Sequence, residues 1–219
     1  MADSIAQDSA TVDLTRAGEL LADAPWKRFV VLGDSTAAGV REVIDGYPDK
    51  SWSQWFVESL TPIQPDLAAE NLGRNGLLTR EVRAKQLAPA LAFQPDLAVV
   101  LCGGNDLLHG SFDGVAEEFD KIVAPLRERG VTVVTMALFD LTKAHLLLEE
   151  FKPSLKAQLD ELYAILDGVA QRHGTVHLDF GKHPAAAEST IYARDLQHLT
   201  TRGHAVVAAE LVRRLGELD

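Results

Sequence analysis

The chain has 219 residues, 47% of them hydrophobic and 24% charged, which suits one globular domain with a sizeable core. Its formal net charge is −11 and no basic block offsets it, which argues against nucleic acid and anionic membrane surfaces as partners. The single cysteine, Cys102, excludes an intramolecular disulfide; with no basic-then-apolar leader and no apolar run of about 18 residues, the expected compartment is the cytoplasm.

Residues 1 to about 12 are polar and expected to fray. Leu14, Leu20 and Leu21 suggest a short helix, so residues 1–24 read as a partly helical extension of a single domain over 1–219. An apolar, β-branched run then gives a strand at 28–33, cut off by Gly33 and followed by Asp34, Ser35 and the small residues Ala37, Ala38 and Gly39. Ser35 thus falls where a strand end meets a helix start. Asp34 and Ser35 are also good N-cap residues, so this stretch alone leaves capping as open as chemistry. Asp45-Gly46-Tyr47-Pro48 is a turn, and Ser51 caps a helix with Trp52, Trp55, Phe56 and Leu60 on one face. The two tryptophans read as core or pocket wall.

A second strand is expected near Leu67–Leu72, then an amphipathic helix from Thr79 to Ala90. Leu97–Leu101 is apolar throughout, the mark of a strand covered on both faces. A helix over 113–129 closes at Gly130, a suitable C′ residue. Val131–Ala137 is the fourth strand, Lys152–His173 the longest helix and Thr175–Asp179 a short fifth strand. A loop covers 180–201, and Arg202–Leu215 is the final helix. Strands alternating with helices predict a doubly wound α/β sheet with right-handed crossovers, whose sites lie beyond the C-terminal strand ends.

Four stretches fall at those ends: Ser35 after the first strand, Asn71-Leu72-Gly73-Arg74-Asn75-Gly76 after the second, Gly103-Gly104-Asn105-Asp106 after the third, and Asp195-Leu196-Gln197-His198 after the fifth. A serine hydroxyl is a poor nucleophile until a base takes its proton, and histidine suits that task near neutral pH. An Asp three residues from the His on a turning loop can reach the other ring nitrogen and fix the tautomer. A glycine lets backbone approach a carbonyl without a Cβ in the way, and Asn is a neutral donor. Singly, the Gly-Gly-Asn-Asp stretch also reads as a strand-end turn and Asp195 with His198 as a surface pair.

Together and in this order, the four stretches resemble the blocks of the SGNH (GDSL-type) hydrolase family, over residues 28–210. The resemblance implies a three-layer α/β/α sandwich around a mainly parallel five-stranded sheet. It implies Ser35 as nucleophile, His198 as general base and Asp195 as the group that orients the imidazole. It also implies an oxyanion hole from the N–H groups of Ser35 and Gly76 and the side-chain amide of Asn105. Gly76, five residues after Asn71, fits the pattern better than Gly73. Thr36 stands where the family often has Leu, and Leu199 where Pro commonly follows the His; both bear on loop shape.

No Gly-x-Ser-x-Gly, P-loop or dinucleotide fingerprint is present. His177, Asp179 and His183 read as strand and loop residues in preference to a metal cluster, so neither metal nor cofactor is expected. Cys102 reads as a core thiol, His204 as packing at the start of the last helix, and His109 as bordering the pocket. The 138–151 loop, with Phe139, Leu141 and Leu146 to Leu148, is expected to wall the acyl side. The expected activity is that of a serine esterase acting on a small or medium acyl ester through an acyl-enzyme. An acyltransferase, a thioesterase or lysophospholipase, and an inactive binding protein of the same fold remain open at this point.

Overall fold

The apolar runs become five short parallel strands in a computed structural model that describes residues 7–218. In chain order the strands are β1 (Arg28–Gly33), β2 (Arg41–Glu42), β3 (Ala68–Asn71), β4 (Leu97–Leu101), β5 (Thr132–Met136), β6 (Val176–Leu178) and β7 (Leu199–Thr200). The main sheet has the order β3-β1-β4-β5-β6, and β2 with β7 forms a separate parallel pair. The helices are α1 (Leu14–Leu20), α2 (Ser35–Ala38), α3 (Trp52–Leu60), α4 (Thr79–Ala92), α5 (Gly104–His109), α6 (Val115–Arg127), α7 (Lys152–His173) and α8 (Thr201–Gly216).

Alternation along each strand separates the core into two halves. Phe29 and Val31 of β1 join Leu97 and Val99 of β4 on one face, covered by Trp52, Phe56 and Leu60 of α3 and by Val206 and Leu211 of α8. Val30, Leu32, Ala98 and Val100 point to the other face, against Val82 of α4, Phe119 and Ile122 of α6, and Leu162 and Leu166 of α7. The result is the expected three-layer α/β/α sandwich. Every residue of β4 is buried, and burying one such Leu or Val side chain stabilises by about 1.5–3 kcal/mol. Trp52 and Trp55 belong to this core and do not line the cleft.

Three expectations change. Residues 7–12 do not fray, although residues 1–6 lie outside the described part. Asp8 accepts from the Tyr47 hydroxyl at 2.6 Å and from Arg202 Nε at 2.7 Å. These bonds tie the segment to α8. The 180–201 region is not an unstructured loop: it carries two 3-10 turns, Pro184–Ala187 and Ser189–Ile191, and then β7. The Gly103–Asp106 stretch opens a helical turn, α5, with Gly103 at φ 104 as its left-handed first cap.

Candidate active site

Gly33 ends β1 because only a glycine fits there: a Cβ would lie 1.8 Å from the Leu101 carbonyl oxygen of β4. The buried side chain of Gln86 clamps this strand end, accepting from Gly33 N at 2.7 Å and donating to Gly33 O at 2.8 Å. Asp34 then caps α2, its Oδ1 accepting from Thr36 N at 3.0 Å. Ser35 is the first residue of α2, so its own N–H has no intrahelical acceptor.

The loop after β3 lies across α2. Asn71 donates from Nδ2 to Ala37 O at 2.8 Å and accepts from Gly73 N at 2.9 Å. A Cβ on Gly73 would come within 2.4 Å of Ala38 N, whereas one on Gly76 would meet nothing within 4 Å. Gly73 is therefore a packing glycine, and Gly76, at φ 76, opens its backbone to the cleft. Among the described residues the Gly76 N–H has no protein acceptor. Asn105 faces the same cleft and donates from Nδ2 to Leu77 O at 3.0 Å. Its neighbour Asp106 accepts from Thr79 N and Oγ1 at 2.9 and 2.8 Å. The Gly76 loop and α5 are thus cross-braced.

The 195–198 turn completes the arrangement. Asp195 Oδ1 accepts from Gln197 N and His198 N, each at 3.0 Å. Its Oδ2 lies 2.7 Å from His198 Nδ1, and His198 Nε2 lies 2.9 Å from Ser35 Oγ. With a carboxylate at Nδ1, that nitrogen carries the proton, and Nε2 is left to accept from the serine hydroxyl. Leu196 sits at φ 58, a left-handed conformation that costs a non-glycine residue about 1–2 kcal/mol. The bonds on either side hold it there, including Leu196 N to Ala193 O at 2.9 Å.

Two further contacts join this turn to the Ser35 segment. In the β2–β7 pair, Arg41 is opposite Leu199 and Glu42 opposite Thr200. Glu42 accepts from Arg194 N at 2.7 Å and from Arg194 Nε at 2.6 Å, next to Asp195. Behind them, buried His204 accepts at Nδ1 from Trp52 N at 3.1 Å and reaches Val40 O from Nε2 at 3.2 Å.

Electrostatics follow from burial and these bonds. Burial works to raise Asp195, but the hydrogen bonds from the His198 ring and from the His198 and Gln197 amides outweigh it, holding the carboxyl below its ordinary range. Asp34 is fully buried, and desolvation pushes it up to about 6 against the pull of Thr36, with Asp106 adding repulsion. Burial lowers His204 to about 4, so the ring is neutral at pH 7.

Ser35, Gly76, Asn105, Asp195 and His198 all line one cleft of about 480 Å3. His109 does not; its Nδ1 turns back to Asn105 O at 2.7 Å, and Leu107 and Leu108 of the same helix face the cleft instead. Phe139 and Leu141 line it as expected, but Leu146 to Leu148 do not, and Leu155 and Leu159 of α7 take that place. His177 and His183 are engaged separately, with Thr135 and with Ala185 N respectively. Sequence reasoning missed the bracing residues Gln86 and Glu42. Gln86 did carry a signal: it occupies an apolar-face position of α4 between Val82 and Ala90, where a polar side chain needs a partner.

A parallel sheet here carries a Ser–His–Asp hydrogen-bond chain beyond its C-terminal edge, an arrangement that recurs in serine hydrolases on several folds. The chain belongs to the GDSL-like lipase/acylhydrolase family, whose model matches residues 31–206. Solved structures with the same fold include a catalytic mutant of Axe2, an acetylxylan esterase from Geobacillus stearothermophilus, with a TM-score of 0.71 at 16% identity over 88% of this chain and 95% of that one. Another structure of Axe2 gives 0.70 at 17% identity over 88% and 95%. LAE5, described as an alpha/beta hydrolase enzyme from the metagenome of Lake Arreo, Spain, gives 0.70 at 19% identity over 88% and 96%. No curated protein matches the sequence. Among the described residues no helix is long and apolar enough to cross a membrane.

Proposed function

We propose that the protein hydrolyses a carboxylic ester of a small or medium acyl group through an acyl-enzyme on Ser35. The observation that carries the reading is the continuous chain from Asp195 Oδ2 through His198 to Ser35 Oγ, with links of 2.7 and 2.9 Å. His198 Nε2 takes the hydroxyl proton as Ser35 Oγ bonds to the ester carbonyl carbon. The carbonyl oxygen becomes an oxyanion, received by the N–H groups of Ser35 and Gly76 and by the Asn105 amide. The C–O bond to the leaving alcohol then breaks, and His198 returns the proton to that oxygen. Water repeats the sequence in reverse roles, with its proton passing to His198 and the acid leaving as Ser35 regains its hydrogen. Asp195 stabilises the imidazolium in both halves.

Transfer to an acceptor alcohol would use the same acyl-enzyme, and product analysis with and without such an acceptor separates it from hydrolysis. A cytoplasmic setting belongs to the same proposal, supported by the lone, buried Cys102. The test is Ser35→Ala and His198→Ala with p-nitrophenyl acetate and butyrate, alongside labelling by a fluorophosphonate probe. Each variant is expected to lose nearly all turnover while staying folded, and the label to map to Ser35. Unchanged turnover in Ser35→Ala overturns the reading.

A further inference from the structure

The polar groups around Ser35 make up only part of the cleft lining. Of the twenty-five described residues that line it, fifteen are apolar, and the carboxyl and imidazole groups are those of Asp34, Asp195 and His198, all beside Ser35. No Lys or Arg lines it. Trp26, Trp52 and Trp55 are all core residues, so the aromatic rings that face the cleft are those of Phe139, Phe180 and Tyr192. The apolar wall starts at Leu101 and Met136, at the C-terminal ends of β4 and β5. It continues to Leu155 and Leu159, four residues apart and on one face of α7. Asn75 and Gln197, on the polar side, are exposed.

An acetyl group would place one methyl against this wall and leave the rest facing water. A longer chain removes that apolar surface from water carbon by carbon. We infer that the cleft takes a medium-length acyl chain in preference to an acetyl group. The chain runs from Ser35 over the ends of β4 and β5 towards Leu155 and Leu159, while the leaving group stays in solvent beside Asn75 and Gln197. This inference rests on the Ser35 reading and narrows its substrate class.

The experiment is kcat/KM for p-nitrophenyl esters from two to twelve carbons, together with fluorophosphonate labelling. The expected gain is about four-fold per methylene for as long as the added carbons stay against the apolar wall. Leu155→Trp, on a half-buried position, is expected to lower the octanoate-to-acetate ratio of kcat/KM by about ten-fold or more, with thermal melting used to confirm a folded variant. Flat or falling kcat/KM above acetate, with Ser35 labelled, overturns the chain-binding inference and leaves the esterase reading standing. An unchanged octanoate-to-acetate ratio in Leu155→Trp overturns the proposed path. No labelling and no hydrolysis of any ester overturns both readings.

Discussion

His204 offers a test of how the two halves of the site are held together. Its neutral ring accepts from Trp52 N at Nδ1 and donates from Nε2 to Val40 O, joining the start of α3 and the Ser35 segment to α8. Protonation would destroy the acceptor and place a charge in the core. The folded-state pKa is about 4 against an ordinary 6.5. Because the folded value is depressed, the unfolded chain binds the proton first as pH falls. The stability is therefore fully present above pH 6.5 and is lost progressively towards pH 4. Between about pH 7.5 and 4.5 this one group should remove about 2–3 kcal/mol. His204→Gln keeps an acceptor and a donor but does not titrate. Urea unfolding of both proteins across that range isolates the effect, since other titrating groups are common to both. The native protein should lose about 2–3 kcal/mol more than the variant. Parallel pH dependences would refute the assignment of a neutral, buried, bridging His204.

Two further predictions concern the loops that face Ser35. Asn105→Ala should lower kcat/KM by about 10²–10³-fold, read by steady-state kinetics, with about 1 kcal/mol of stability lost as Leu77 O gives up its donor. Gly73→Ala should destabilise strongly and displace α2, because its Cβ would meet Ala38 N at 2.4 Å, while Gly76→Ala has open space and only the strain of φ 76, about 1–2 kcal/mol. Thermal melts of the two variants decide between these costs, and equal losses would contradict the packing role of Gly73.

Much of this protein was legible along the chain. Leu97–Leu101 has one environment on both faces, so its burial in a parallel sheet follows from composition alone. Ser51 with Gln54 makes a complete capping box, a local signal that starts α3 where expected. The Asp195–His198 turn is equally local: its hydrogen bonds span two or three residues. Such features depend on near neighbours, and near neighbours are written in order.

What tertiary structure alone decided is which distant groups meet. That His198 Nε2 comes within 2.9 Å of Ser35 Oγ, across 163 positions, depends on the β2–β7 pairing and the Glu42–Arg194 contact, strands and bonds too short to leave a periodic trace. The anchoring of Asp8 by Tyr47 and Arg202 was invisible for the same reason, since a polar segment reads as frayed until its partners are known. The cleft wall expected at Leu146–Leu148 falls instead at Leu155 and Leu159 because α7 turns one face to the cleft, and that helix is held mainly by its packing on α6. Local pattern specifies elements; the shape between them comes from packing, which couples residues by distance in space and not by distance along the chain.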